Sequence, residues 1–316
     1  TGISHFPRTR LWVDKEVFPR IQKLLMRAQH TVLIQMFIWK DDKLGRQMAS
    51  LLLTLADRGV KVYINKEATG DVFEFHRDFL TTKHAIDPMW KRFWHHPNIR
   101  ITYANFKDHA KVYIIDGETL LLTGMNIADE YHERLHDYMV ELHGSMFVEQ
   151  YLTQNEIRGT HGNIRLFMNS ENHKGIRAIV MELIETAKHS IVVEQCYISD
   201  PKVIEALARK SHEGVRVTLI VPMRTDFQHH HANMQTVARL IGDGSSQHVQ
   251  VFLYPVMFHG KTMLIDRTRA FVGSVNFITT SLDDMGEVNG LLEGRQNESI
   301  LKLREVRRNT MLLSKP

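Results

Sequence analysis

FHGKTMLIDRTRAFVGSVN, residues 258–276, sets His259, Lys261, Asp266 and Asn276 on a predicted strand, turn and strand. A near copy, DHAKVYIIDGETLLLTGMN, lies 150 positions earlier and holds His109, Lys111, Asp116 and Asn126 in the same register without a gap. An acidic residue follows each His by 28 positions, Asp137 in the first copy and Glu287 in the second. Five polar positions that keep register over this distance point to duplication of a whole unit of about 150 residues, not to a solenoid of short repeats.

The flanks repeat as well. Residues 15–28 have helical apolar spacing, 31–39 (TVLIQMFIW) read as a strand covered on both faces, 44–58 as a helix stopped by Gly59, and 60–64 as a strand. The second half matches with a strand at 190–198, a helix at 201–213 opened by Pro201 and stopped by Gly214, and a strand at 215–221. Strands at 99–103 and 249–254 lead to the motif strands 110–115 and 260–265, and return strands follow at 120–123 and 270–272. The predicted fold class is α/β: two similar α/β lobes, each a mixed sheet flanked by helices, related by a pseudo-twofold axis. The boundary falls within 150–162, giving lobes 1–155 and 156–316.

A chain of 316 residues, 43% hydrophobic and 24% charged, has material for a substantial core and is neither disordered nor fibrous in composition. The net charge of +4, a pI near 9.0 and 19 histidines favour an anionic partner. The single cysteine, Cys196, excludes an intrachain disulfide and lies in a strand-like run, IVVEQCY, where inert packing is expected. No apolar run is long enough to span a bilayer, and TGISHFPRTR lacks the apolar middle of a signal peptide. The expected location is cytoplasmic.

Side chains alternate faces along a strand, so His109 and Lys111, and likewise His259 and Lys261, share a face. Val112, Ile114, Thr262 and Leu264 take the other face, which is expected to pack on helices. A twofold axis bringing the two edges together would gather two His, two Lys and two Asn in one site. Lysine and amide donors suit an anionic phosphodiester whose non-bridging oxygens gain charge in the transition state. One neutral His can attack phosphorus while a protonated one donates to the departing alkoxide and then deprotonates the acceptor hydroxyl. Each imidazole needs its far nitrogen held, and Asp137 and Glu287 are spaced to supply the orienting carboxylates. No metal is expected, since Lys stands where a second ligand would be wanted and repels a cation.

HAKVYIID with TGMN, and HGKTMLID with GSVN, form HxKxxxxD followed by a Gly/Ser-x-Asn turn, twice. This pair resembles the phospholipase D superfamily over roughly residues 29–293, with Thr123 where that family often has Gly. The run 194–276, with CYISDPKVIEALARKSHEGVRVTLIVP ahead of the second motif, is similar to bacterial cardiolipin synthases of the phospholipase D type. The resemblance implies two-step phosphatidyl transfer without a cofactor, centred on the motif residues His109, Lys111, Asp116, His259, Lys261 and Asp266. It makes His109 the nucleophile and His259 the general acid and base, with Asp116 and Asp266 supporting local structure. Lys111, Asn126, Lys261, Ser274 and Asn276 are then the phosphate-binding set. An anionic phospholipid, phosphatidylglycerol converted to cardiolipin, is the implied substrate, with peripheral contact at the inner membrane. The alternative is a metal-independent phosphodiesterase of the same superfamily acting on nucleic acid.

Three further stretches stand out. MWKRFWHH at 89–96 interleaves aromatic and basic residues, as a lipid-interface segment or as a half-buried Trp pair. QHHH at 228–231 reads as an exposed helix start, and KLREVRRNTMLLSKP at 302–316 as a basic helix with a solvated face.

Overall fold

The computed structural model describes residues 9–74, 87–104, 107–154 and 163–315. The expected boundary between 155 and 156 lies outside the described residues. Two seven-stranded sheets carry the fold. The first comprises Thr9–Val13 (β1), Thr31–Met36 (β2), Lys61–Glu67 (β3), Ile99–Ala104 (β4), Lys111–Ile115 (β5), Thr119–Thr123 (β6) and Tyr138–His143 (β7). The second comprises Ile164–Asn169 (β8), Ser190–Gln195 (β9), Arg216–Pro222 (β10), Val249–Tyr254 (β11), Lys261–Ile265 (β12), Arg269–Gly273 (β13) and Glu287–Glu293 (β14). Read from matching edges, the orders are β1-β7-β6-β5-β2-β3-β4 and β8-β14-β13-β12-β9-β10-β11, the same topology twice. In each sheet three neighbours run parallel, β2-β3-β4 and β9-β10-β11, and the other pairings are antiparallel.

Local chemistry fixes the connections. The helix Lys43–Asp57 is capped by Asp42, whose carboxylate accepts from the Gly45 N–H, and Pro201–His212 is capped by Asp200 with proline in its first turn. Gly59 and Gly214 follow these helices at φ 95° and 87°, the left-handed conformation that reverses the chain into β3 and β10. Asp116 accepts from the backbone N–H groups of Gln29, His30 and Thr31, and Asp266 from those of Lys188, His189 and Ser190. The motif aspartates therefore tie the turn after β5 or β12 to the start of β2 or β9.

The strand expected over 31–39 stops at Met36, because Ile38 leaves the sheet to donate its N–H to Asn126 Oδ1. A second difference concerns the two faces of β5 and β12. Tyr113, Ile115, Met263 and Ile265, on the lysine-bearing faces, pack with the helix-covered cores of their own lobes. Val112, Ile114 and Leu264 instead join a third core in which both sheets meet, with Phe147 and Ile300 from the helices Ser145–Thr153 and Glu298–Leu313. The face expected to lie under helices is thus mainly a lobe-to-lobe contact, because both motif strands are central and covered on each side by different layers.

The other stretches also resolve. In the helix Pro88–His95, Trp90 and Phe93 are buried against Trp39, so the lipid-interface reading of this segment gives way to core packing. QHHH opens the helix Phe227–Asp243, and His229 stacks on Tyr197 at 4.0 Å. Cys196 is fully buried with Ile220 and Phe258, and burial pushes its thiol up. The C-terminal helix departs from a simply solvated face: Arg307 is 3% exposed, bonds Thr262 Oγ1 and pairs with Glu194, which is fully buried on β9. A carboxylate at that depth requires a partner, and the helix supplies it. Arg307→Ala should lower the unfolding free energy by about 3–5 kcal/mol in urea titration, since it leaves buried Glu194 with only His136, at 3.7 Å; a loss below about 1 kcal/mol would mean the pair contributes as an exposed one does.

Candidate active site

Each motif histidine precedes its strand by two residues, at the point where the chain crosses to the other lobe. The His109 N–H donates to the Gly286 carbonyl at 2.8 Å, and the His259 N–H to the His136 carbonyl at 2.8 Å. Gly286 and His136 directly precede Glu287 and Asp137, so each pairing delivers a carboxylate to the opposite lobe's imidazole. Glu287 Oε1 lies 3.1 Å from His109 Nδ1, and Asp137 Oδ2 lies 2.8 Å from His259 Nδ1. The repeated spacing of 28 residues thus marks two carboxylates that serve each other's copy rather than their own.

Lys111 Nζ donates to the His109 carbonyl at 2.6 Å and lies 5.2 Å from the centre of the Phe37 ring. Lys261 Nζ donates to the His259 carbonyl at 2.7 Å and stands 2.9 Å from its Nδ1. Both ammonium groups are buried, and the four residues feel one another across the lobe contact. Burial pushes Lys111 down to about 7, with Glu287 opposing and Lys261 adding to the fall. Burial likewise lowers His259 well below its ordinary value, helped by Lys261, Lys111 and His109. His109 is lowered by burial and by Lys111, against the pull of Glu287. Among the described residues no three His, Cys, Asp or Glu side chains gather as metal ligands.

The two halves differ in how the carboxylates are held. Burial favours the neutral acid in both, yet Glu287 ends below its ordinary value because His109, Lys111 and Ser274 outweigh that cost. Ser274 Oγ donates to Glu287 Oε2 and Ser281 Oγ to Oε1. In the first copy the matching positions are Gly124 and Tyr131, and among the described residues no hydroxyl donates to Asp137. A Cβ on Gly124 would stand 2.5 Å from Asp137 Oδ2, so the carboxylate itself excludes a serine there. Burial raises Asp137 to about 7, only partly offset by Lys261 and by the Tyr138 N–H that donates to Oδ1.

This arrangement corrects one expectation: Ser274 is fully buried with its hydroxyl spent on Glu287, which places it behind His109 rather than against a phosphate. Asn126 and Asn276 are buried beside the site. Asn126 Oδ1 accepts from the Ile38 N–H and Asn276 Oδ1 from the Cys196 thiol, leaving the amide NH₂ of each as the donor side. Asp116 and Asp266 stand at the far ends of β5 and β12, away from the imidazoles. Phe37 and Tyr131, not singled out from the sequence, set ring edges against His109 and His259 at 4.9 and 5.0 Å. Ser281 was also missed; the only signal is its register with Tyr131, 150 positions earlier.

With this geometry in hand, the chain can be set beside known proteins. The family described as cardiolipin synthase, PLD-like domain, matches residues 21–156 and 180–306, one segment in each lobe. The chain belongs to that family. Among similar members, cardiolipin synthase A of Pseudomonas aeruginosa is 26% identical over 97% of this chain and 70% of its own length. Probable cardiolipin synthase YwiE of Bacillus subtilis is 26% identical over 87% of the chain and 60% of its own length. Cardiolipin synthase B of Escherichia coli is 23% identical over 91% and 76%. The chain therefore spans 60–76% of the length of these curated relatives. The phosphatidylserine synthase of Haemophilus influenzae shares the fold, with a TM-score of 0.77 at 11% identity over 97% of this chain and 86% of that one. Polyphosphate kinase from Porphyromonas gingivalis also shares it, with a TM-score of 0.65 at 16% identity over 96% of this chain and 47% of that one. Among the described residues no helix is long and apolar enough to cross a membrane.

The serine pair makes a direct prediction. Glu287 has a depressed folded-state pKa, so its contribution to stability is present above its unfolded value of about 4.3 and is lost as pH falls through the folded value. A hydroxyl donating to a buried carboxylate contributes about 1.5–3 kcal/mol. Ser281→Ala should therefore lose about that much stability at neutral pH and much less in acid, where Glu287 is protonated. Urea unfolding at both pH values decides it, and equal losses would disconnect Ser281 from the charge on Glu287.

Proposed function

We propose that the chain transfers a phosphatidyl group through a covalent phosphohistidine, with phosphatidylglycerol as donor and the headgroup hydroxyl of a second phosphatidylglycerol as acceptor. The observation that carries this reading is the crossed pair of imidazole–carboxylate contacts with two buried lysines between them. The names of the relatives support the lipid substrate over nucleic acid.

In the first step His109 Nε2 attacks phosphorus, the bond from phosphorus to the glycerol oxygen breaks, and that oxygen takes a proton from His259. In the second step His259 recovers a proton from the incoming hydroxyl, whose oxygen displaces His109 from phosphorus to give cardiolipin. Lys111, Lys261 and the amides of Asn126 and Asn276 offset the charge that builds on the non-bridging oxygens. The unequal carboxylates support this division of labour. Ionised Glu287 holds the Nδ1 proton of His109 and keeps the Nε2 lone pair available. Asp137, near 7, carries a proton part of the time; donating it to Nδ1 leaves His259 with Nε2–H, the tautomer a general acid needs.

Two outcomes follow. His109→Ala and His259→Ala should each reduce transfer at least about 10²-fold, and radiolabelled phosphate from an activated phosphatidyl donor should be trapped on His259→Ala but not on His109→Ala. Label retained by His109→Ala would reverse the roles. The pH profile of kcat/KM should fall above about 7 with two ionisations, Asp137 and Lys111, both of which act in their protonated forms. Asp137→Asn should leave only the lysine step, and an unchanged double limb in that variant would remove Asp137 from proton transfer.

A further inference from the structure

Away from the catalytic residues, the second lobe carries a groove of about 660 Å³ between its sheet and the helix Glu298–Leu313. Its position is distinct. Ser190 and Arg216, which line it, begin β9 and β10, whereas Lys261 pairs with Gln195 at the opposite end of β9. The helix forming its wall is pinned at its far end, where Lys315 and Leu253 exchange backbone hydrogen bonds at 2.8 and 3.0 Å.

The lining is strongly one-signed. Arg216, Arg267, Arg304, Arg307 and Arg308 line the groove with a single acid, Glu305; Arg307 is committed to Glu194, and among the described residues none of the other four makes an ion pair. Other arginines are paired, as in Arg92 with Asp57 and Arg239 with Glu205. Arg267 adds an independent sign. It occupies φ 62° in the turn after β12, where the first lobe places Gly117 at φ 67°. A non-glycine residue there costs roughly 1 kcal/mol, and strain of this kind collects where a side chain is needed. Apolar side chains also line it, Val192 and Leu264 from the sheet and Leu301 and Met311 from the helix, beside the polar Thr218 and Gln250.

We propose that this groove binds the phosphate headgroup of an anionic amphiphile, its guanidinium groups gripping phosphate oxygens while its apolar side chains take the adjoining hydrocarbon. Guanidinium forks match phosphate bidentately and are weakly hydrated, which favours phosphate capture over a point-charge contact. The volume lies in the range of small-ligand sites. The chain's own first eight residues, TGISHFPR, contain no acid and do not complement the groove. The inference stands apart from the reading of the active site, because it uses none of the histidines, lysines or carboxylates there.

The test uses the full chain carrying His109→Ala, so that lipid is not consumed. It is titrated with phosphatidylcholine vesicles, with vesicles in which phosphatidylglycerol is mixed, and with inorganic phosphate and glycerol phosphate in solution. Phosphatidylglycerol vesicles should bind and slow amide exchange in Glu298–Leu313, and the double variant Arg304→Glu/Arg308→Glu should weaken that binding at least about tenfold. Arg267→Gly, which relieves the left-handed strain, should gain stability while losing affinity, so a folding defect cannot imitate the result. Competition by glycerol phosphate would identify a free phosphate ester as a ligand of the same site and supports the phosphate chemistry. Vesicle binding unchanged in the double variant overturns the proposal. So does polyglutamate protecting the same helix as strongly as phosphate does, since that would assign the groove to an acidic protein segment.

Discussion

Two backbone hydrogen bonds, from His109 to Gly286 and from His259 to His136, set the terms for the rest of the molecule. Each joins a motif histidine to the residue just before the other lobe's buried carboxylate, so the lobes can form the site only when stitched across their shared axis. The inter-lobe core then fills with Val112, Ile114, Leu264 and Val272, and close approach demands small residues. A Cβ on Gly286 would meet Asp108 Oδ1 of the other lobe at 2.6 Å, and one on Gly260 would meet the Tyr138 ring of the other lobe at 3.0 Å. Packing and chemistry are therefore the same constraint seen at two scales, since any slip between the lobes separates an imidazole from its carboxylate.

Around that shared frame the copies have diverged where charge is managed. Glu287 is held below its ordinary value by His109, Lys111 and the hydroxyl of Ser274, whereas at Asp137, beside Gly124 and Tyr131, burial outweighs the pull of Lys261. The backbone is nearly symmetric while the electrostatics are not, and the two-step reaction proposed for the site, with different tasks for its two imidazoles, would call for that inequality. The same divergence appears behind the site, where Glu194 and Arg307 form a buried pair at a position that in the first lobe is held by Gln35, an uncharged residue.

Much of the fold was legible because its signals are local. Apolar runs, Gly59 and Gly214 after helices, and the turn residues at 116–117 and 266–267 fix strands and helices without reference to anything distant, and the duplication supplied the topology by repetition. The polar set of the candidate site was legible for the same reason: two identical spacings. What escaped depends on contacts between segments far apart in the chain. The crossing of Asp137 and Glu287 cannot be read from an offset of 28, which is equally compatible with pairing inside one copy. Ser274 read as a phosphate donor because it stands in the same turn as Asn276; only the approach of Glu287 shows where its proton goes. Arg307 sits in a charge run that reads as solvated, and its burial is dictated by Glu194, more than a hundred positions away. Phe37 and Tyr131 fall outside the repeated polar spacing that marks the other residues of the site.

The crossed carboxylates also bear on how such a chain arises. A single half, standing alone, would hold an imidazole with nothing behind it and a carboxylate with nothing before it. Two copies of that half, associated about a twofold axis, would complete both at once, each subunit lending its acid to the other. Fusing the pair into one chain keeps the reciprocity but frees the halves from being identical, and only then can one acid be held ionised and the other left near neutral. Self-association came first in this logic, and the proposed division of labour between the histidines is what a single covalent chain would make accessible.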